Sequence, residues 1–373
     1  MPNQFQPFNF NQDIVTTKTL LHEAIPLTGT IFKFGTGSYI EENIKNFSHG
    51  QFQAVYDYPY LSSSANHIFD LTLGIDEESS LSSSATVQNS KKINMYNQMA
   101  QTLLGYTASK ADGVHKFEPD LSLNTHSLTP MKEVFFINLS RLLTKDQIKK
   151  GTFSITLATG SWTDATVAGQ TVTITDASAS DSGGTTSVLG GDMALLYAGD
   201  GALSTHLATT EAGNVPVAGG VVGNIFYQAG VVVLSASVFQ SDDHEEYFSQ
   251  QSGDLVANLK SIEGALTSSA ISASCNALRH RVCNIAFNNT TEINSNIYFC
   301  RVPWNRYNYT TNPTYVNNAK IRVKNIANDP PIAYITTVGM YNAAGELLAT
   351  AKLSEPLRKD PTNELTLRVR LDY

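Results

Sequence analysis

Pro330–Tyr373 decides the fold of the C-terminal part, and its sequence is PPIAYITTVGMYNAAGELLATAKLSEPLRKDPTNELTLRVRLDY. The last ten residues alternate between polar and apolar side chains. Because successive side chains of a β-strand point to opposite faces, this period predicts a strand with one buried and one solvated face. The predicted buried face contains Leu365, Leu367, Val369, Leu371 and Tyr373, and the solvated face contains Glu364, Thr366, Arg368, Arg370 and Asp372.

Two further strands precede this one and are predicted to form a hairpin. Ile332–Tyr341 and Leu347–Leu353 are apolar and β-branched, and Asn342–Glu346 lies between them. Gly345 supplies the positive φ that such a short loop needs. Ser354–Pro361 is predicted to be the next connection, because its two prolines cannot donate hydrogen bonds to a ladder. The whole stretch is therefore an antiparallel β unit.

The hairpin resembles a phrase in structural proteins of tailed bacteriophages. The matching residues are Ile335–Asn342, Gly345–Ala349 and Lys352–Pro356. In those proteins a strand leads into a Gly-containing hairpin and then into a Pro-containing exit, and similar phrases occur in tail-collar and fibre-attachment proteins near the baseplate. The resemblance implies a virion structural protein, assembled in the host cytoplasm from copies of itself and other virion proteins.

The composition fits a protein that covers much of its surface with neighbours, and it also fits many extracellular β proteins. Only 16% of the 373 residues are charged, against about 25% in typical soluble domains. Ser, Thr, Asn and Gly take the place of charged residues. The length predicts two or three domains.

The charges are distributed unevenly. No Lys or Arg lies between Lys150 and Lys260, and this interval contains eleven acidic residues. Residues 274–373 contain twelve Lys or Arg and seven Asp or Glu. One interpretation is a solvated acidic lobe. The other is that acidic and basic faces of successive subunits meet, since charge complementarity fixes register.

Several function classes have no supporting motif. The sequence contains no G-x-S-x-G nucleophile elbow, no phosphate-binding loop, no H-E-x-x-H motif and no dinucleotide fingerprint that fits its context. We therefore predict no catalytic residues, no cofactor and no enzymatic activity. The acidic run Ser241–Glu246 is interpreted as a helix N-terminus, because the spacing of a calcium loop is absent.

The cysteines are predicted to be buried, unbridged and without metal. Cys275, His280 and Cys283 do not have the spacing of a common zinc site, and Cys300 lies in an apolar run. Met1–Asn11 lacks the features of a signal peptide, and no apolar run has the length of a membrane span. These observations predict assembly in a reducing cytoplasm with no membrane segment.

Periodicity predicts the elements of the first half. We predict helices at Lys91–Tyr106, Thr144–Lys150 and Asp254–Ser272, a buried strand at Glu133–Leu139 and an exposed, flexible loop at Thr175–Gly191. Residues 8–13 are predicted to be an extended arm, either frayed or reaching a neighbouring subunit.

The fold class predicted from these elements is mainly β or α+β. We expect an antiparallel β-sandwich in the C-terminal part, two or three helices and an inserted acidic β lobe. The predicted segments are an N-terminal arm and α+β assembly region at 1–150, an acidic Gly/Ser/Thr-rich β lobe at 151–240, and a helix plus the sandwich at 241–373.

An aromatic stretch and two basic strand faces are the candidate interface. Trp304–Tyr315 could stack on nucleic acid or sugar, or form a protein interface, and the pI of 5.5 disfavours nucleic acid. The candidate interface residues are Trp304, Arg306, Tyr307, Tyr309, Lys320, Arg322, Lys324, Arg368 and Arg370.

The function predicted from these observations is that of a non-enzymatic structural subunit of a phage virion, in the tail or baseplate, which assembles as a repeated copy. The alternatives are a tail protein that binds a host receptor or surface glycan, and a protein of the neck or head decoration.

Overall fold

The computed structural model describes residues 5–27, 41–47, 49–83, 87–107, 113–123, 130–158, 171–198, 221–236, 266, 271–279, 282–310, 316–317, 320–321 and 331–373. The chain divides into two compact units. We call residues 22–291 the central unit, and residues 1–21 with 292–373 the terminal unit. These units do not coincide with the three predicted segments, whose independence as domains stays a prediction.

The described part of the chain contains four α-helices and eighteen strands. The helices are α1 (Phe10–Asp13), α2 (Val87–Leu103), α3 (Arg141–Thr144) and α4 (Ile271–Arg279). The strands are β1 (Ile14–Leu27), β2 (Ile44–Asn46), β3 (Gln53–Tyr56), β4 (His67–Ile75), β5 (Glu133–Leu139), β6 (Gln147–Ile148), β7 (Ser154–Ala158), β8 (Thr171–Thr175), β9 (Thr185–Val188), β10 (Gly191–Ala198), β11 (Val221–Phe226), β12 (Val231–Ser235), β13 (Val282–Val302), β14 (Val316–Asn317), β15 (Lys320–Ile321), β16 (Ala333–Tyr341), β17 (Leu347–Lys359) and β18 (Leu365–Asp372).

The central unit is built on one antiparallel sheet, which confirms the prediction of a mainly β fold. Its strand order is β13-β7-β8-β10-β11-β12-β5-β4-β3-β2, so the strands of the acidic segment 151–240 lie within the sheet, between β13 and β5. The predicted strand Glu133–Leu139 is confirmed as β5 and pairs with β4 and β12. Both of its faces are buried, because Phe135 and Ile137 belong to one hydrophobic cluster, and Val134 and Phe136 to a second.

Two helix predictions in the central unit differ from the structure, and a third is left untested. The predicted helix Thr144–Lys150 is wrong, because α3 ends at Thr144 and β6 pairs with Asn289 and Thr290 of β13. The predicted helix Lys91–Tyr106 is present as α2, but it spans Val87–Leu103. The third, Asp254–Ser272, lies mostly outside the described residues, like the acidic run at 241–246.

The predicted exposed loop Thr175–Gly191 is instead ordered around a buried carboxylate. The carboxylate of Asp176 accepts hydrogen bonds from the backbone N–H groups of Gly151 (2.8 Å) and Phe153 (2.9 Å) and from the hydroxyl of Tyr227 (2.7 Å). Burial raises the pKa of Asp176. Strand β9 then pairs with β10, so the backbone N–H and C=O groups of β9 find hydrogen-bond partners within the sheet.

The terminal unit contains the predicted C-terminal strand. Strand β18 pairs antiparallel with β13, from Leu365 opposite Val302 to Asp372 opposite Ser295. Val369 is buried and the polar alternates are exposed, as the alternation predicts. Tyr373 was predicted to be buried, but it is 71% exposed. The strand ladder ends at Asp372. The backbone of Tyr373 then exchanges two hydrogen bonds with the backbone of Asn294.

The predicted hairpin is present, but its second strand is longer than predicted. Gly345 has a φ of +84°, and its N–H donates to the carbonyl oxygen of Asn342 (3.0 Å). The prediction that Ser354–Pro361 is a connection is wrong, because β17 continues to Lys359. The pairing passes from Thr337–Lys352 to Ile335–Leu357 through a bulge, and Pro356 lies in that bulge, where no ladder donor is needed.

Candidate interaction surface

Exposed apolar side chains are concentrated in the terminal unit. Fifteen of the twenty-one large apolar side chains found exposed among the described residues belong to it, although the unit contains only 83 of the 256 described residues. Large exposed apolar patches mark interaction sites in soluble proteins. The fifteen are Phe5, Phe8, Phe10, Val15, Leu20, Leu21, Trp304, Tyr307, Tyr309, Tyr334, Tyr341, Leu347, Leu348, Leu357 and Tyr373.

The hairpin β16–β17 contributes a third of these side chains. Within the described part of the chain it forms a sheet of its own, with two strands only. Tyr334 is 64% exposed and Leu348 is 69% exposed. A two-stranded hairpin is marginally stable in water unless a further strand or a packed face supports it. The hairpin therefore has the character of a surface that a partner covers.

The structure brings together some of the predicted interface residues. Trp304, Tyr307 and Tyr309 lie exposed on one loop, where Arg306 donates a hydrogen bond from Nη1 to Oε1 of Gln6 (2.7 Å).

Arg368 and Arg370 lie on the exposed face of β18, as predicted, and Arg370 Nε donates to Oδ1 of Asp372 (2.6 Å). Lys320 belongs to β15 but its side chain is not described, and Arg322 and Lys324 lie outside the described residues.

A buried lysine that the sequence analysis missed holds the aromatic loop. Nζ of Lys359 donates hydrogen bonds to the carbonyl oxygen of Trp304 (3.2 Å), to Oδ1 of Asn308 (2.7 Å) and to the carbonyl oxygen of Asp360 (2.8 Å). Lys359 is fully buried, and this burial lowers its pKa. The contacts with Trp304 and Asn308 join the end of β17 to residues more than fifty positions earlier, so no local pattern could indicate them.

A cleft of about 800 Å³ lies in the terminal unit. One wall is the N-terminal arm, which we define as Phe5–Asn9 and which forms neither helix nor strand. Other walls are residues 299–302 of β13, the loop with Tyr307 and Tyr309, and every residue from Ala333 to Ala343. The lining is mostly aromatic and apolar.

Ion pairing fixes the base of the arm. Asn9 caps α1 by accepting a hydrogen bond from the N–H of Asn11 (3.2 Å), and Oδ1 of Asp13 lies 2.7 Å from Nη2 of Arg301. The hydrogen bond from Arg301 holds the pKa of Asp13 below its usual range. The prediction of an extended arm at residues 8–13 is wrong for Phe10–Asp13, which form α1.

The two units differ in charge. The terminal unit contains eleven Lys or Arg and eight Asp or Glu, a net charge of +3, whereas the central unit contains fourteen and twenty-five, a net charge of −11. Terminal and central units of different copies therefore have complementary charge.

The central unit contains a buried cluster of titratable groups. Nζ of Lys116 lies 3.1 Å from Oδ1 of Asp76, and both side chains are almost fully buried. The hydroxyl of Tyr96 donates to the carbonyl oxygen of Met131 (3.0 Å), and burial raises its pKa. The adjoining cavity, which Lys116 and Asn224 help to line, measures about 10 Å³, room for about one water molecule.

Lys92 gives a pH-dependent prediction. Its Nζ is buried in the central unit and donates to the carbonyl oxygen of Leu266 (2.5 Å), and burial lowers its pKa to about 8. Because the unfolded chain keeps this proton up to about pH 10.4, it binds more protons than the folded chain above pH 8, and stability rises with pH. From pH 7 to 9 the gain should be about 1 kcal/mol.

The measurement is urea denaturation of wild type and Lys92→Met at pH 7 and pH 9. The wild type should gain stability relative to the variant as pH rises. Equal pH dependence of the two proteins would show that Lys92 does not titrate in this range.

All three cysteines lie in the described part of the chain, and no disulfide joins them. Cys275 is buried in α4, and burial raises its pKa to about 12. The prediction that all three are buried is wrong for Cys283 and Cys300, which are partly exposed. His280 lies outside the described residues. Among the residues that are described, no group of three or more His, Cys, Asp or Glu is placed to hold a metal ion, and no helix is long and apolar enough to span a membrane.

Comparison with known proteins finds no matching family model, no matching curated protein and no matching solved structure.

Proposed function

We propose that this chain is a non-enzymatic structural subunit of a phage virion, which assembles as repeated copies through its terminal unit. The observation that carries the proposal is the concentration of exposed apolar side chains in that unit. Apolar and aromatic side chains supply most of the affinity of protein interfaces. The assignment to a tail or baseplate rests on the resemblance of the hairpin sequence alone.

The charge difference between the units supports contacts between copies. A contact between the terminal unit of one copy and the central unit of the next is heterologous, and such contacts close into rings when the rotation allows it. Exposed charge pairs contribute little affinity, about 0–1 kcal/mol each, but they raise the association rate and select the register.

Arg368 tests this electrostatic contribution. It is exposed on β18, so Arg368→Glu should leave the fold intact while it slows association and weakens its salt dependence. Stopped-flow light scattering at low and high salt measures both effects. We do not reverse Arg370, because its ion pair with Asp372 would also be lost. Wild-type rates and salt dependence in the variant would exclude this face from the interface.

The place of the protein in a particle requires a direct experiment. Negative-stain microscopy of virions labelled with an antibody to this chain should show label at the tail or baseplate. Label at the neck or head would move the subunit to those positions, and particles without label would contradict a virion role.

A second candidate function is glycan binding at the tail surface. It is favoured by the exposed rings of Trp304, Tyr307 and Tyr309, since aromatic faces stack on sugars as they do on bases. A glycan array with purified protein tests this function. Binding that Trp304→Ala abolishes would support it, and an array without signal would leave only the structural role.

A further inference from the structure

We infer that the cleft of the terminal unit takes the N-terminal arm of a second copy as a third strand beside β16. This inference rests on the proposed function, because it requires copies of the chain to assemble. It adds one contact to that assembly, in which both the site and the segment belong to the terminal unit.

The cleft follows the edge of β16 rather than one of its faces. Successive side chains of a strand point to opposite faces, yet every residue from Ala333 to Ala343 lines the cleft. Among the described strands, β16 pairs only with β17. In a strand paired on one side, alternate residues direct their N–H and C=O groups toward the other side. These groups are available to an added strand.

The edge of β16 lacks the features that protect strand edges from pairing. Natural proteins protect such edges with charged residues, prolines, bulges or very short strands. Residues 333–341 contain no charged residue and no proline over nine positions. By contrast, β17 contains Lys352, Glu355, Pro356 and Arg358 and carries the bulge. The difference within one hairpin indicates that β17 faces solvent and β16 faces a partner strand.

The N-terminal arm has the matching chemistry. The twelve residues before Asp13 contain no charged side chain, and Phe5–Asn9 forms neither helix nor strand, so it can pair without first unfolding. Within one chain the ring of Phe5 lies 4.9 Å from that of Tyr341. The arm nevertheless forms only a wall of the cleft, and about 800 Å³ is left beside it. Pockets of this size hold ligands of several hundred daltons, which suits a short peptide segment from another copy.

Isotope-mixed crosslinking tests whether the arm of one copy reaches β16 of another. The full chain is made with photoreactive benzoylphenylalanine in place of Phe5, once with ¹⁴N and once with ¹⁵N, and the two are mixed before assembly and irradiation. Mass spectrometry should find peptides of residues 333–343 crosslinked to an arm of the other isotope. Crosslinks between arm and β16 of the same isotope only would overturn the inference.

A pair of matched substitutions tests the edge itself. Thr336 is exposed, lines the cleft and lies opposite the bulge, where it has no partner residue in β17. Thr336→Lys should therefore keep the hairpin and weaken self-association at least about tenfold, since several backbone hydrogen bonds would be lost. The control is Thr350→Lys, at an exposed position on β17. It should change the affinity of self-association less than about twofold. Equal affinities of the two variants would contradict the inference.

Sedimentation of the wild-type protein separates this inference from the proposed function. Self-association accompanied only by same-isotope crosslinks would disprove arm exchange and leave the structural role in place. A wild-type chain that stays monomeric at high micromolar concentration would disprove both.

Discussion

Asp76→Asn should lower the free energy of unfolding by about 3–5 kcal/mol, because it removes the carboxylate charge from a buried ion pair. Nζ of Lys116 lies 3.1 Å from Oδ1 of Asp76, and neither side chain has appreciable contact with solvent. The amide retains the shape of the carboxylate and can still accept from the N–H of Glu78, which now donates to Oδ1 at 3.0 Å. The substitution therefore isolates the lost charge.

Asp192→Asn is the matched control. Asp192 forms an ion pair with Lys150 at 2.7 Å, but both side chains are partly exposed, so its loss should cost about 0–1 kcal/mol. Chemical denaturation of both variants at pH 7 measures the difference. Similar losses of stability in the two variants would show that burial does not determine the effect of the Asp76–Lys116 pair.

Deleting Leu367–Tyr373 should destroy the folded terminal unit. The deletion removes buried Val369 and half-buried Leu367 and Leu371, which together contribute about 3–6 kcal/mol. It also leaves residues 295–300 of β13 without their partner residues in β18. Domains are stable by only about 5–15 kcal/mol, so the truncated protein should be insoluble or should lose protease resistance in residues 292–366.

Removing Tyr373 alone is the control for this deletion. Its side chain is largely exposed, so the shorter truncation should remain soluble with a nearly unchanged melting temperature. A soluble Leu367–Tyr373 deletion that also melts at the wild-type temperature would show that β18 is not needed for the fold.

Local patterns in the sequence predict the strands well. A continuous apolar run predicts a strand buried on both faces, as in Glu133–Leu139, and an alternating pattern predicts a strand buried on one face, as in Leu365–Asp372. The loop Asn342–Glu346 was predictable because its positive φ requires Gly345. The error at Ser354–Pro361 has a physical reason. Proline cannot donate a hydrogen bond at a paired position of the ladder, but Pro356 lies in a bulge, where its position is unpaired and the strand can continue.

The features that could not be predicted from the sequence depend on long-range contacts. Lys359, Asp76 and Asp176 each have partners that lie between 23 and 55 residues away. Buried polar side chains also resemble exposed ones in a one-dimensional pattern. The aromatic loop was found because Trp304 and its neighbours are unusual for a surface. The exposed side chains of Leu347 and Leu348 were missed, because apolar residues in a predicted strand are interpreted as core.

Sedimentation velocity of three proteins tests most directly whether copies associate through the terminal unit. They are the wild type, Leu347→Ser/Leu348→Ser in the terminal unit, and Leu61→Ser/Leu142→Ser in the central unit, where both leucines are also exposed. We expect that the wild type self-associates, that the first variant does so at least about tenfold more weakly, and that the second is affected less than the first. Weaker association of the second variant with an unchanged first variant would contradict this expectation.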